Sequence, residues 1–178
     1  MNLTQSSTIY RLLEQQFKQN PQSLALQSLD GRSVSYQDLL EQIKYVITTL
    51  NSLGIGCTER VALVLPNGLE MAIALLAVSS GATSIPLNPA YQAPEFDYYL
   101  SDLKPQLIIV QSGIESPVRD VARTKGIQIL ELVPTPNLGK TIFQLSGDNN
   151  TDLEVLAPTQ IAQPEDIALI LHTSGTTS

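Results

Sequence analysis

The sequence predicts an α/β fold with a mainly parallel, doubly wound sheet, preceded by a helix–hairpin–helix segment. Short apolar runs bounded by turn residues alternate with helical patterns from residue 57 onward. Such alternation is typical of βαβ units, whose strands run parallel through right-handed crossovers. Residues 1–56 differ, because a hairpin signal at Asp30-Gly31 lies between two amphipathic helical patterns. We therefore divide the chain into 1–56 and 57–178.

The first helix is predicted between Ser7 or Thr8, as N-cap, and Asn20-Pro21, because apolar residues recur there at helical spacing. Strands at 23–28 and 33–36 flank the hairpin turn.

A second helix is predicted to begin near Ser35, which lies three residues before Asp38 as in a capping box. Its apolar face runs through residues 39–53, and Gly54 ends it.

The second part carries four predicted strands and three predicted helices before a region of little periodicity. The strands lie at 61–65, 83–87, 107–110 and 127–132, and the helices at 69–80, 95–103 and 118–125. Pro86 indicates that its strand is short or near an edge. Residues 133–163 are predicted to be a long loop, with at most a strand around 153–156. The apolar run at 167–171 predicts a last strand that is buried on both faces.

Composition and charge exclude several classes of function. The net charge of −7 leaves no basic stripe for a nucleic acid. A single cysteine forbids an internal disulfide and indicates a reducing compartment. Cys57 is a reactive thiol or a small filler before a strand, and the sequence favours the filler because nothing nearby lowers its pKa. No signal-peptide pattern or membrane-spanning apolar run occurs, so we expect a cytoplasmic protein without a membrane partner.

The polar stretch at 173–178 follows the last predicted strand. Hydroxyls and backbone N–H groups at the carboxyl end of a strand are well placed to bind a phosphate. A Ser/Thr/Gly stretch is also typical of a solvated loop, so this pattern alone leaves both interpretations open. It is not a Walker loop, because G-x-x-x-x-G-K-[ST] does not occur and no lysine follows Lys140.

Other side chains that carry chemistry are few. His172 is the only histidine, and nothing pairs it with a nucleophile at a recognisable spacing. We interpret it as a strand-end residue with a structural hydrogen bond rather than a general base. One cysteine and one histidine cannot assemble a nitrogen/sulfur metal site. Tyr91, Tyr98 and Tyr99 are interpreted as core residues, with a pocket lining as the alternative.

Four stretches, taken in order, carry a family resemblance. They are Val34-Ser-Tyr-Gln-Asp-Leu39, Arg60-Val-Ala-Leu-Val-Leu-Pro-Asn-Gly-Leu-Glu70, Gly81-Ala-Thr-Ser-Ile-Pro-Leu-Asn-Pro-Ala-Tyr91 and Thr173-Ser-Gly-Thr-Thr177. Together they resemble the amino-terminal part of the adenylate-forming, AMP-binding superfamily. That superfamily contains acyl-CoA synthetases, luciferases and nonribosomal-peptide adenylation domains. The third stretch resembles acyl-CoA synthetases, and the fourth resembles the phosphate loop T-S-G-T-T-G-x-P-K.

The resemblance implies an ATP-dependent acid–CoA ligase that uses Mg²⁺ and takes coenzyme A as acceptor. A carboxylate attacks the α-phosphate of ATP, pyrophosphate leaves, and thiolysis resolves the acyl-adenylate. The residues that the resemblance assigns to phosphate binding are Thr173, Ser174, Gly175, Thr176, Thr177 and Ser178. Ser178 stands where most members have glycine. The string His172-Thr-Ser-Gly-Thr-Thr-Ser178 is most similar to the oxalate–CoA ligase-like branch. No catalytic residue is assigned, since the loop lysine and the later motifs do not occur in this chain.

Three hypotheses follow from the resemblance. The chain is an incomplete part of an acid–CoA ligase that is inactive alone, or the same part of a nonribosomal-peptide or fatty-acyl adenylation domain that loads a carrier protein. The third hypothesis is a non-catalytic binding or assembly module with this fold. The expected partners are a small carboxylic acid and a nucleotide. We also expect self-association through the apolar face of the helix at 39–53 or of the strand at 24–26, because an incomplete domain exposes such faces.

Overall fold

A computed structural model of the protein describes residues 7–135, 141–147 and 160–172. The helices are α1 (Ile9–Gln19), α2 (Tyr36–Ser52), α3 (Leu69–Val78), α4 (Ala93–Leu103) and α5 (Val118–Lys125). The strands are β1 (Leu24–Gln27), β2 (Ser33–Ser35), β3 (Arg60–Val64), β4 (Thr83–Pro86), β5 (Leu107–Gln111), β6 (Gln128–Pro134) and β7 (Phe143–Gly147). None of the helices in these ranges is long and apolar enough to cross a bilayer.

The amino-terminal helices begin where their capping residues predict. The Thr8 hydroxyl accepts a hydrogen bond from the backbone N–H of Arg11 at 3.2 Å, which satisfies a free donor in the first turn of α1. Ser35 caps α2 in the same way, by accepting from the N–H of Asp38 at 3.1 Å. Between the two helices, β1 and β2 pair antiparallel across the predicted Asp30-Gly31 turn. The helix–hairpin–helix prediction is therefore confirmed.

The main sheet has the strand order β4-β3-β5-β6-β7. β3 pairs in parallel with both β4 and β5, and β5 pairs in parallel with β6. β7 joins β6 in the antiparallel direction. β4 ends the order on the other side, as Pro86 predicted. The predicted fold class, α/β with a mainly parallel sheet, is confirmed.

β7 corrects the prediction of a long loop, which is wrong for residues 143–147. Side chains of α2 hold this strand. The Gln42 carboxamide donates to the Phe143 carbonyl at 3.0 Å and accepts from the Ile142 N–H at 2.9 Å. The Tyr45 hydroxyl accepts from the Leu145 N–H at 3.0 Å. These contacts join residues about a hundred positions apart, so no local pattern reveals them. The strand predicted around 153–156 lies outside the described residues.

Alternating side chains of the central strands feed two apolar clusters, one on each face of the sheet. Val61 and Leu63 point toward α2 and α3, whereas Ala62 and Val64 point toward the cluster that contains Phe96 of α4. α5 contributes to the second cluster as well. Because helices cover both faces, the central strands read as continuous apolar runs in the sequence.

The expected exposure of the apolar face of α2 is wrong. Ile43 and Ile47 of this face are fully buried, and they belong to the same cluster as the residues of α3 and β3. The approach is close at Gly81, where an added Cβ would lie 3.0 Å from both Cγ1 and Cγ2 of Ile47. Leu24 of β1 does remain 57% exposed. Residues 1–56 and the α/β part therefore share one core.

Candidate functional site

Residues 160–172 bring the chain to the outer side of β4. The Ser84 N–H donates to the Ala168 carbonyl at 3.0 Å, and the Ile170 N–H donates to the Ser84 carbonyl at 2.9 Å. The resulting bridge between Ser84 and Leu169 is parallel. This segment therefore runs toward the carboxyl ends of β3, β4, β5 and β6, the edge where open α/β sheets bind their ligands.

The prediction that residues 167–171 form a strand buried on both faces is wrong. Ile167, Leu169 and Leu171 are 60%, 41% and 63% exposed, whereas Ala168 and Ile170 between them are partly buried. Ile170 packs against the second apolar cluster. Within the described ranges only one face of the segment is covered, because it runs along the end of the sheet and bonds to β4 alone. An apolar run shows that a segment is suited to burial, whereas its neighbours in space decide whether it is buried.

His172 ends the described part of this segment with a side-chain contact to α4. Its Nε2 lies 3.0 Å from Oδ2 of Asp102. An ionised carboxylate can only accept, so Nε2 carries the proton and donates. The imidazole ring also meets the ring of Tyr99 edge-on, with centroids 4.8 Å apart and planes at 66°. The interpretation of His172 as a strand-end residue with a structural hydrogen bond agrees with this geometry.

The three tyrosines form an aromatic surface on the same side. Tyr91 stacks on Tyr99 with centroids 5.0 Å apart and planes at 17°, and Tyr98 meets Tyr99 edge-on. A hydrogen bond with Tyr99, and then burial, raises the pKa of Tyr91 above its ordinary value. Tyr98 is 61% exposed, so it is not a core residue, and His172 packs on this surface.

The sequence did not identify Asp102 as a neighbour of His172 and the three tyrosines. Asp102 follows Tyr98 by four positions and Tyr99 by three on α4, so all three side chains share one helix face. That spacing was the available signal. It could not identify His172 as the partner, because the two residues lie 70 positions apart.

The predicted phosphate-binding residues lie outside the described part of the chain. They are Thr173, Ser174, Gly175, Thr176, Thr177 and Ser178. The described segment ends one residue before them, at His172. The structure therefore describes three parts of this region. They are the strand-like segment at 167–172, the carboxyl edge of the sheet toward which it runs, and the α4 side chains beside its end.

A second polar region lies between the hairpin and the turn after β3. It is an open cleft of ≈ 540 Å³ next to Pro66-Asn-Gly68. Arg32 bonds to Glu70 and, at 2.8 Å, to Asp30, which raises the pKa of the guanidinium. Hydrogen bonds from Ser28 and Arg32 lower the pKa of Asp30 to about 2. The single guanidinium is paired with two carboxylates, so this group has an excess of negative charge and presents no free cation for an anionic ligand.

A doubly wound sheet that guides a strand-like segment to its carboxyl edge is typical of α/β proteins that bind a ligand there. The chain matches the AMP-binding enzyme family over residues 13–178 and belongs to that family. The oxalate–CoA ligase of Arabidopsis thaliana is 35% identical over 176 residues, which are 97% of this chain and 34% of the ligase. A dimodular nonribosomal peptide synthase of Bacillus subtilis is 29% identical over 165 residues, which are 92% of this chain and 7% of the synthase.

Solved structures agree with this assignment. The crystal structure of ATP-bound MatB from Rhodopseudomonas palustris superposes with a TM-score of 0.73 at 26% identity, and the match covers 96% of this chain and 33% of MatB. The chain thus spans about a third of the length of MatB and of the oxalate–CoA ligase. The resemblance to adenylate-forming enzymes is confirmed.

Proposed function

We propose that the protein that carries this chain is an ATP-dependent acid–CoA ligase. It would join a small carboxylic acid to AMP and then transfer the acyl group to the thiol of coenzyme A. The similarity to an oxalate–CoA ligase carries the proposal, because it reaches 35% identity over 97% of the chain.

In this proposal residues 173–178 bind the β- and γ-phosphates of ATP. Their hydroxyls and backbone N–H groups would stabilise the negative charge that moves onto the leaving pyrophosphate. Gly175 would let the backbone approach the phosphates closely. The direction of residues 167–172, toward the carboxyl edge of the sheet, supports this placement.

Mg²⁺ would neutralise charge on the triphosphate when bound. Within the described ranges, no group of three or more His, Cys, Asp or Glu side chains could hold a metal ion. Mg²⁺ commonly binds through one or two carboxylates together with substrate phosphates. We therefore propose that the ion enters with the nucleotide rather than in a cage of described side chains.

A second candidate function is that of an adenylation domain, which would pass its acyl group to a carrier-protein thiol. The similarity to the dimodular nonribosomal peptide synthase, at 29% identity over 92% of the chain, supports it. The identity to the CoA ligase is higher and extends over slightly more of the chain. We rank the carrier-protein acceptor second for that reason.

The test is acid-dependent exchange of pyrophosphate into ATP by the product of the complete reading frame. We expect exchange with a small carboxylic acid, with oxalate as the first probe, and formation of a CoA thioester. Exchange with amino acids and no CoA thioester would favour the adenylation domain. No exchange with any acid would favour a non-catalytic module. We expect no pyrophosphate exchange from the 178-residue chain alone, because it spans only about a third of the length of the oxalate–CoA ligase.

A further inference from the structure

The segment at 167–171 has an open backbone edge. Its backbone bonds to β4 come from alternate residues, since the Ser84 N–H donates to the Ala168 carbonyl at 3.0 Å and the Ile170 N–H donates to the Ser84 carbonyl at 2.9 Å. Successive residues of an extended segment direct their backbone groups to opposite edges, so those of Leu169 face away from β4. Within the described ranges these two groups have no backbone partner. They lie where a further strand can pair.

The exposed side chains of this segment continue a buried row of the sheet. Leu169 is the parallel bridge partner of Ser84, and Ser84 is the register partner of Val61, so the three side chains share one face. Val61 and Ser84 are fully buried, whereas Leu169 is 41% exposed. Ile167 and Leu171 lie on the same face as Leu169 and are more exposed still. The face that carries the first apolar cluster therefore ends at an apolar margin.

The composition of the segment is that of an interior strand. Residues 167–171 form an uninterrupted apolar run, as do residues 61–64 of β3 and 107–110 of β5, which are buried. Strands that remain at the edge of a sheet are commonly protected by charged residues or proline, and this run contains neither. A helix placed on the apolar face would leave the backbone groups of Leu169 unpaired, whereas an extended segment would satisfy them.

We propose that residues 167–171 are an interior strand of the complete protein, in which an extended apolar segment outside these 178 residues pairs with their free edge. The chain spans about a third of the length of the oxalate–CoA ligase and of MatB. A protein of that length contains ample further chain to supply the strand. Pairing would satisfy the Leu169 backbone and place apolar side chains beside the exposed stripe. It does not depend on the reaction proposed above.

Hydrogen exchange at single amides tests the pairing without any substitution. In the 178-residue chain, kept dilute enough to be monomeric, the Leu169 amide should exchange nearly as fast as in an unstructured peptide. In the complete protein it should exchange about a hundredfold more slowly, because a paired amide exchanges only when the strand opens. The Ile170 amide is the internal control, since its bond to Ser84 protects it in both proteins. An unprotected Leu169 amide in the folded complete protein would overturn the proposal.

The dependence on concentration identifies the source of the strand. A segment of the same protein gives protection of the Leu169 amide that is equal in dilute and concentrated samples, because the pairing is intramolecular. Analytical ultracentrifugation of the same samples gives the mass. Protection that appears only as the complete protein dimerises would show that a second copy supplies the strand, and it would refute the intramolecular pairing.

A pair of variants tests whether the stripe is buried. In the complete protein, Leu169→Ala should speed exchange of the Leu169-site amide by about tenfold, because it removes apolar contacts that hold the added strand. Leu12→Ala is the matched control, since Leu12 is a leucine of similar exposure on α1, and it should leave that rate unchanged. Equal rates in the two variants would contradict burial of the stripe. A complete protein without acid-dependent pyrophosphate exchange would refute the proposed function and leave these three tests intact.

Discussion

At the scale of single residues, Thr83 and Ser84 of β4 show opposite outcomes for a buried hydroxyl. The Thr83 hydroxyl donates to the carbonyl of Ile167. The Ser84 hydroxyl is completely buried and has no hydrogen-bond partner in the part of the chain that the structure describes. It faces the same side of the sheet as Val61, its register partner, which belongs to the first apolar cluster. A buried hydroxyl without a partner opposes folding.

We predict that Ser84→Ala raises the free energy of unfolding by about 1 kcal/mol, because it removes an unsatisfied polar group and almost no volume. Thr83→Val is the matched comparison. It should lower that free energy by about 1 kcal/mol, since it deletes the hydrogen bond to Ile167 while it keeps the shape of the side chain. Urea unfolding followed by circular dichroism measures both changes. A destabilised Ser84→Ala variant would show that the hydroxyl has a partner.

Cys57 is a residue whose surroundings suppress its reactivity. Burial raises the pKa of the thiol, and the Asp166 carboxylate raises it further through its charge and a hydrogen bond. A raised folded-state pKa means that the native state favours the neutral thiol. The associated stability is present below the pKa of the unfolded thiol and is lost as pH rises through the folded-state value. The filler interpretation agrees with this environment.

We predict that Cys57 reacts with iodoacetamide more slowly in the native chain than in the urea-unfolded chain at pH 8, because less thiolate is present. Asp166→Asn should lower the pKa of Cys57 and speed the reaction. Glu165→Gln, a change at the neighbouring carboxylate, serves as the control and should have little effect. A pH series of alkylation rates gives the pKa values. If Asp166→Asn slowed the reaction, the assigned cause of the shift would be wrong.

At the scale of elements, α2 does more than cover the sheet. Gln42 is 2% exposed and satisfies the backbone groups of Ile142 and Phe143 at the same time. Without Gln42, these backbone groups at the unpaired edge of β7 would have to bond to water or to another strand.

Gln42→Ala should lower the free energy of unfolding by about 3 kcal/mol, because it leaves a buried N–H and a buried carbonyl without partners. Gln37→Ala, on the same helix, should change the stability by less than about 0.5 kcal/mol, since the Gln37 hydrogen bonds are exposed. Urea unfolding measures the difference, and hydrogen exchange at Leu145 locates it in β7. Equal effects of the two variants would contradict this role of Gln42.

At the scale of the whole molecule, the described chain leaves one apolar stripe uncovered. Ile167, Leu169 and Leu171 point away from β4 along a strand-like segment at the end of the sheet. Exposed apolar edges favour association. The buried face of α2 is therefore excluded as the surface of self-association. This stripe joins the strand at 24–26, where Leu24 is exposed, as a candidate surface.

We predict that the 178-residue chain associates in a concentration-dependent manner and that Leu169→Lys weakens the association by about tenfold or more, the effect of losing one buried leucine side chain. Leu12→Lys is the control, because Leu12 is a similarly exposed leucine, at 53%, on α1. Analytical ultracentrifugation at several concentrations measures the masses. A monomeric parent chain, or equal weakening by the two variants, would rule out the stripe as the contact.

Local chemistry determines much of this fold. Caps at Thr8 and Ser35, the Asp30-Gly31 turn and the alternation from β3 to β6 depend on neighbours in sequence, so periodicity and capping predict them. The family resemblance also follows from sequence alone, since its blocks lie in order along the chain.

Tertiary structure decides the features that depend on partners far along the chain. α2 satisfies backbone groups of β7 and of the residue before it. The run at 167–171 remains half exposed because, among the described residues, its backbone bonds to β4 alone. His172 meets Asp102 across 70 positions. Burial and hydrogen bonding are properties of pairs in space, whereas propensity is a property of single residues and their neighbours. The sequence by itself therefore determined the elements from α1 to β6 and the family to which the chain belongs. Only the tertiary structure decided that β7 forms, which faces are covered and which side chains meet.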